Sequence, residues 1–416
     1  MPDISYLILL IVSRETIFLQ STTFPTSHPP VFPMFSHNNI HKLIESIHNR
    51  PEQIVLATTG VGTLAQAWLY GVAGASQTML ESTVPYAKQA LSEFIGQIPN
   101  KFVSPITARL MAAQAYQRAV HLREEETIDV IGVACTGAIA TNWEKKGEHH
   151  AYITLWQKDR VTTYHLSLAK GKRSREEEEE VVSQFLLEAL AKALGVIAEI
   201  KVATRDRVTT EVVKWGDAIQ AVLQKERSFV GIYADGRAKH QGINPELLFC
   251  GSFNPFHQGH QQLAQIASEM MGKPVAFEIS AFNVDKPPLT VEVLQARLAQ
   301  FAGKSPLYIT SAPTFIEKCR LLPNTTFIIG YDTAVRIIAP RYYNNSTPDM
   351  MAALNEIRSL NGHFLVAGRV DKQGVFQDAE ALQVPSDLQD LFTPIPASKF
   401  RVDLSSTEIR NQKAEQ

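Results

Sequence analysis

The chain has 416 residues, 45% of them apolar, which is enough material for two or three ordinary domain cores. Its 40 Lys and Arg side chains stand against 42 Asp and Glu, a formal net charge of −2, so no field of one sign draws nucleic acid or an anionic membrane to the surface. Small molecules or other proteins are the expected partners, and a homo-oligomer is compatible with this balance.

The opening MPDISYLILLIVSR holds an apolar run too short to span a bilayer, with an aspartate where an export signal carries positive charge. The STTFPTSHPPVFPMF that follows is rich in Pro, Ser and Thr, which bury little surface per ordered residue. Residues 1–47 are therefore expected to form a flexible tail, read either as a weak organelle address or as sequence ahead of a start at Met34. The expected location is cytoplasmic. Cys135, Cys250 and Cys319 lie far apart with no C-x-x-C spacing, which fits a reducing compartment and offers no zinc cage.

From about residue 50, strand-like runs (IVLAT at 54, IGVACTG at 131, AYITLW at 151, VTTYHLSL at 161) alternate with helix-like segments, an α/β layout. In EEEEEVVSQFLLEALAKALG, residues 176–195, acidic residues lead, apolar residues follow at helical spacing and Gly195 ends the pattern. The glutamate run suits a solvated helix start favoured by the dipole, and it closes a first domain spanning 48–200. Residues 201–243, of mixed charge and weak periodicity, are expected to act as a linker.

The second domain, 244–416, repeats apolar runs as LLFC, PVAFEIS, LYIT, TFIIG and HFLVAG, with helix-length segments between them. That spacing predicts a doubly wound parallel sheet, in which ligands sit beyond the carboxyl ends of the strands where their order reverses. GSFNPFHQGH, residues 251–260, follows the first run. Gly251 allows a sharp turn at positive φ, and HQGHQQLAQIASEMMG reads as a helix with Leu263, Ile266, Ala267 and Met270 on one face. His257 and His260 would add two donors to the N–H groups of that helix start, and Gly259 would let a phosphoryl group approach the backbone.

A metal site needs more convergent ligands than two histidines, and histidines satisfied by local backbone are the bland alternative. DLSSTEIR, residues 403–410, weighs against the latter. Ser405 and Glu408 make a capping box, and the hydroxyls of Ser405, Ser406 and Thr407 with the Arg410 cation would form a second phosphate seat. GKS at 303–305 lacks the glycine of a P-loop, since Leu298 stands five positions earlier, and is read as a loop.

GSFNPFHQGH together with SSTEIR resembles the adenylyltransferase branch of the HxGH nucleotidyltransferase superfamily, and the FNP tripeptide resembles nicotinamide or nicotinate mononucleotide adenylyltransferases. The resemblance covers roughly 245–412. It implies transfer from ATP to a pyridine mononucleotide with Mg²⁺ bridging phosphate oxygens, and His257, His260 and Arg410 in catalytic roles. Gly251, Ser252, Phe253, Asn254, Gly259, Ser405, Ser406 and Thr407 would hold the nucleotide. Lys286, Gly330 and Asp332 would meet the second substrate. Family members often stack a tryptophan on the pyridine ring, and Tyr342 and Tyr343 occupy that vicinity here.

Residues 50–197 resemble the C-terminal domain of competence/damage-inducible protein A, through TTGVGT at 58, VAGAS at 72, VPYAKQAL at 84, ACTG at 134 and GKRSREE at 171. Active members of that family deamidate nicotinamide mononucleotide. Here Ala57 or Thr58 falls at the family's serine and Leu91 at its lysine, although Tyr86 and Lys88 remain, and AIATNW replaces a glycine-rich loop. The resemblance therefore implies either a binding or scaffolding domain or a deamidase, and a non-catalytic pyridine-nucleotide sensor is a third reading of the pair. The expected architecture is α/β in two domains, an α/β deamidase-like sandwich followed by a Rossmann-like doubly wound parallel sheet.

Overall fold

The computed structural model describes residues 37–143, 146–197, 206–241, 244–370 and 375–400. The first domain runs α1 (His37–His48), β1 (Gln53–Thr59), α2 (Thr63–Gly71), α3 (Ala75–Thr78), β2 (Met79–Thr83), α4 (Lys88–Ile95), α5 (Pro105–Leu122), β3 (Val130–Ala138), β4 (His149–Trp156), β5 (Arg160–Leu168), α6 (Arg175–Ala193) and β6 (Arg207–Lys214). Its strands form one sheet in the order β2-β1-β3-β4-β5-β6, with β2, β1 and β3 parallel and the remaining pairs antiparallel. Side chains alternate across a strand. Val55, Ala57 and Ala134 accordingly share a core with α5, while Ile54, Leu56, Ile131, Val133 and Cys135 pack with α1, α2 and α6 on the other face.

Helix α1 corrects the expectation of a tail reaching residue 47. Ile40, Leu43, Ile44 and Ile47 recur at helical spacing, and Ile44 and Ile47 are fully buried beneath α6. Helix α5 starts at Pro105 behind a Ser104 side chain that accepts from Thr107 N at 3.1 Å. It lies hard against β3 because position 132 is glycine, where a Cβ would fall 2.7 Å from Tyr116 Cα.

The second domain adds α7 (Trp215–Leu223), β7 (Phe229–Ile232), β8 (Ala238–Lys239), β9 (Leu247–Cys250), α8 (Gln258–Met271), β10 (Val275–Ser280), α9 (Val291–Leu298), β11 (Leu307–Thr310), α10 (Phe315–Leu321), β12 (Thr326–Gly330), α11 (Tyr331–Ile337), α12 (Thr347–Ser359), β13 (His363–Ala367), β14 (Arg369–Val370), β15 (Phe376–Gln377) and β16 (Phe392–Ile395). The main sheet has the order β16-β13-β12-β9-β10-β11-β7-β8. Its first six strands are parallel, and β7 and β8 close the edge antiparallel. Counted from β9, the parallel strands follow the doubly wound order 3-2-1-4-5-6, whose reversal lies between β9 and β12.

Where the sequence predicts a linker over 201–243, the described residues carry ordered elements. Strand β6 is the edge of the first sheet, and β7 pairs antiparallel with β11 of the second. Weak periodicity hid them because β6 is an exposed edge and β7 is only four residues long. Between them Trp215 is buried, its Nε1 donating to Gly236 O at 2.9 Å and its ring 5.4 Å from that of Trp156. One apolar cluster joins Ala113 and Tyr116 of α5 to Phe301 and Ala302 of the second domain. No described helix is long and apolar enough to cross a membrane.

Candidate functional site

Strand β9 delivers the chain to Gly251, whose N–H donates to Glu278 O on β10 at 3.0 Å. Positive φ is not why glycine is needed here, contrary to the sequence reading. The left-handed residue is Phe253, at φ 44°, and a Cβ on Gly251 would lie 2.8 Å from two atoms of the Phe253 ring. That ring is fully buried, edge-on to Phe249, Phe277 and Phe301. The turn behind it is held at both ends by one side chain. Gln300 Nε2 donates to Phe253 O at 3.0 Å, and its Oε1 accepts from Phe256 N at 2.7 Å.

His257 follows as the N-cap of α8, with extended backbone, and His260 is the third helical residue. His260 Nδ1 accepts from His257 N at 3.2 Å, where a capping box ordinarily uses Glu or Gln. The two imidazole centroids are 3.7 Å apart, and the His260 ring stacks on Phe256 at 5.6 Å. Burial, with His257 adding to it, pushes the His260 pKa down to about 3, and burial also lowers that of His257. His260 is therefore neutral near pH 7. Because its Nδ1 accepts, its proton sits on Nε2, which becomes a donor. His257 Nδ1 is buried and takes no hydrogen bond from any of the described residues. A buried polar atom without a partner calls for one, and here it lies at a helix start whose first N–H groups have no partner within the helix.

These histidines stand at the carboxyl end of β9, next to β12 in parallel register from Leu247↔Thr326 to Phe249↔Ile328, so they occupy the switch point of the sheet. Residues 248–412 match the cytidylyltransferase-like family, of the HxGH nucleotidyltransferase superfamily. No curated protein matches the chain. Among solved structures, the N-terminal part is similar to competence/damage-inducible protein CihA from Agrobacterium tumefaciens at 23% identity, covering 38% of this chain and 96% of that one with a TM-score of 0.31. It is also similar to a CinA superfamily protein from Klebsiella pneumoniae 700603 at 14% identity, covering 38% of this chain and 97% of that one with a TM-score of 0.32.

Within the second domain, Ser252 and Asn254 are exposed on the turn and Gly259 is buried in the first turn of α8. Gly330 ends β12 and Asp332 opens α11, so both reach the same edge of the sheet as the histidines. Asp332 is already ion-paired with Arg369. Lys286 is exposed in the segment between β10 and α9. Tyr343 is tied into the fold by its hydroxyl, which donates to Ile337 O at 2.9 Å, and burial raises its pKa to about 12. Ser405, Ser406, Thr407 and Arg410 lie outside the described residues. Among the described residues, no group of three or more His, Cys, Asp or Glu side chains could hold a metal ion. All three thiols are free and burial raises their pKa, so none is a ready thiolate nucleophile.

In the first domain Thr58 is fully buried and accepts from Gln66 Nε2 at 3.0 Å. Leu91 is buried, Tyr86 is 66% exposed and Lys88 Nζ sits 5.7 Å over the Phe102 ring. The glutamate run is not wholly solvated, which corrects the sequence reading. Glu178 is fully buried, bridging His149 Nδ1 at 2.8 Å and Ala140 N at 2.7 Å. Glu179 accepts from Gly62 N, Thr63 Oγ1 and Leu64 N at 3.0–3.1 Å, so a carboxylate of the chain itself fills the helix start that TTGVGT builds.

Gln300 was not legible as a functional candidate. The nearby GKS at 303–305 gives no such signal, and only the fold brings the Gln300 amide to the histidine turn.

Proposed function

We propose that the chain transfers an adenylyl group from ATP to the 5′-phosphate of nicotinamide or nicotinate mononucleotide, giving a dinucleotide of the NAD type and pyrophosphate. A mononucleotide phosphate oxygen attacks the α-phosphorus, the bond to the bridging oxygen of the β-phosphate breaks, and pyrophosphate carries the electron pair away. The observation that carries this reading is the pair His257 and His260 at the start of α8, at the switch point of a 3-2-1-4-5-6 sheet. A neutral His260 offers an Nε2–H, and the α8 N–H groups offer fixed dipoles, to charge growing on the α-phosphate. Mg²⁺ would ride on the triphosphate oxygens and neutralise them, a role that needs no cage of protein carboxylates. Arg410 and the Ser405–Thr407 hydroxyls are assigned to the departing pyrophosphate.

The test is the purified full chain with ATP, Mg²⁺ and a panel of mononucleotides, read by mass spectrometry. A dinucleotide formed with release of pyrophosphate and dependent on Mg²⁺ is expected. Tight ATP binding without any product would overturn the reading in favour of a nucleotide sensor.

A further inference from the structure

The two domains meet where α5 faces the turn after α9, a helical turn over Ala299–Phe301. Gln117 Nε2 of α5 donates to Ala299 O, and Gln117 Oε1 accepts from Lys304 Nζ at 3.2 Å. Lys304 Nζ also donates to Gln300 O at 3.2 Å, and its ammonium sits 6.0 Å from the Phe256 ring centroid. One step earlier, Gln114 Nε2 donates to Gly303 O at 3.1 Å. Gly303 sits at a φ of +70°, a conformation that favours glycine, and a Cβ there would press on Gln114 Nε2 at 2.9 Å. The carbonyls on both sides of the Gln300 side chain are thus held from outside, one by Gln117 directly and the other through Lys304.

Gln300 in turn holds Phe253 O and Phe256 N, the two ends of the turn that leads into His257. The far side of α5 rests on β3 at Gly132, so the helix is a stiff strut between the first sheet and the histidine turn. We infer that the first domain acts as a positioning element for nucleotidyl transfer: Gln117, through Lys304 and Gln300, fixes the Phe253–Phe256 turn from which His257 and His260 are presented. The inference rests on the transfer reading above for its kinetic consequence and on geometry alone for its structural one. Neither Gln117 nor Gln300 touches a reacting atom, and both are positioning residues. An ordinary interface would bury these amides without directing them at the turn beside the site. Here the series runs from Gln117 and Lys304 to the backbone on either side of Gln300, and ends in the two Gln300 bonds to Phe253 O and Phe256 N on the backbone that leads into α8.

The test uses the full chain and the variants Gln117→Ala, Lys304→Met and Gln300→Ala. Amide hydrogen exchange at Phe256, whose N–H is bonded to Gln300, is expected to quicken about tenfold in Gln117→Ala while amides of Leu307–Thr310 keep their rates. In the same variant kcat is expected to fall roughly tenfold with KM for the mononucleotide unchanged, because a shifted donor costs transition-state contact rather than substrate affinity. Gln300→Ala should show the larger change in both. Wild-type exchange at Phe256 in both Gln117→Ala and Lys304→Met would overturn the positioning role, whatever the rates. Lys304→Met carries the same test if Gln117→Ala does not fold. A wild-type chain that makes no dinucleotide, but whose Phe256 exchange responds to Gln117→Ala, would sink the transfer reading and leave the positioning role standing.

Discussion

His260 accepts the backbone N–H of His257 at 3.2 Å, and this one bond assigns two jobs to one imidazole. It caps α8 through Nδ1 and frees Nε2–H for a ligand. The jobs separate by substitution. Gln is the ordinary capping-box residue at this position, so His260→Gln should keep the cap and its unfolding midpoint in urea while turnover drops by about 10²–10³, the usual cost of one transition-state donor. His260→Ala should lose turnover and, in addition, about 1 kcal/mol of stability from the missing cap. Equal unfolding midpoints for the two variants would remove the capping role.

The same burial sets a pH dependence. The His260 pKa is about 3 in the fold, against about 6.5 for an unfolded histidine. Between these values the unfolded chain binds more protons than the folded one, so stability rises with pH through that window. This contribution is complete above about 6.5, declines as the pH falls and is gone once the pH passes the folded value. His260→Gln should flatten that part of the curve, as measured by urea unfolding at a series of pH values between 4 and 7.

Gly251 and Phe253 divide the work of the turn in a way that the sequence does not disclose. The strands LLFC, PVAFEIS, LYIT, TFIIG and HFLVAG were legible because buried parallel strands are short, continuous apolar runs. The helix at 258 was legible because Leu263 and Ala267 keep a 3.6-residue period. Spacing placed the histidines at a helix start, whereas Gly330 and Asp332 were singled out only by the family resemblance. Strands β6, β7 and β8 were not legible, since an exposed edge has no apolar alternation and a strand of two to four residues has no period to read. Gln117 and Gln300 are 183 positions apart in sequence, and such a pairing exists only once both domains are folded.

Gly251→Ala tests the division directly. Its Cβ would sit 2.8 Å from the Phe253 ring, which is packed among four other phenylalanine rings and the His260 imidazole and cannot retreat. Overpacking of that kind costs about 1–3 kcal/mol. The variant should unfold at lower urea and lose ATP affinity together, since the ring carries the turn with it. A loss of stability with wild-type affinity would show that the turn is held from elsewhere.

Glu278 and Lys318 are both buried, paired at 2.5 Å beneath the end of β10, with Thr310 Oγ1 donating to the same carboxylate oxygen at 2.6 Å. Burying a pair costs desolvation that the attraction only partly offsets, whereas removing one member strands the other. Lys318→Met should therefore cost about 3–5 kcal/mol, and the double variant Glu278→Leu with Lys318→Met should recover most of it. Glu278 O also anchors Gly251 N. If the pair served only to stabilise, the double variant would bind ATP as the wild type does. A double variant that regains stability while ATP affinity stays low would show that the ion pair also sets the position of the β10 backbone against which the histidine turn is built.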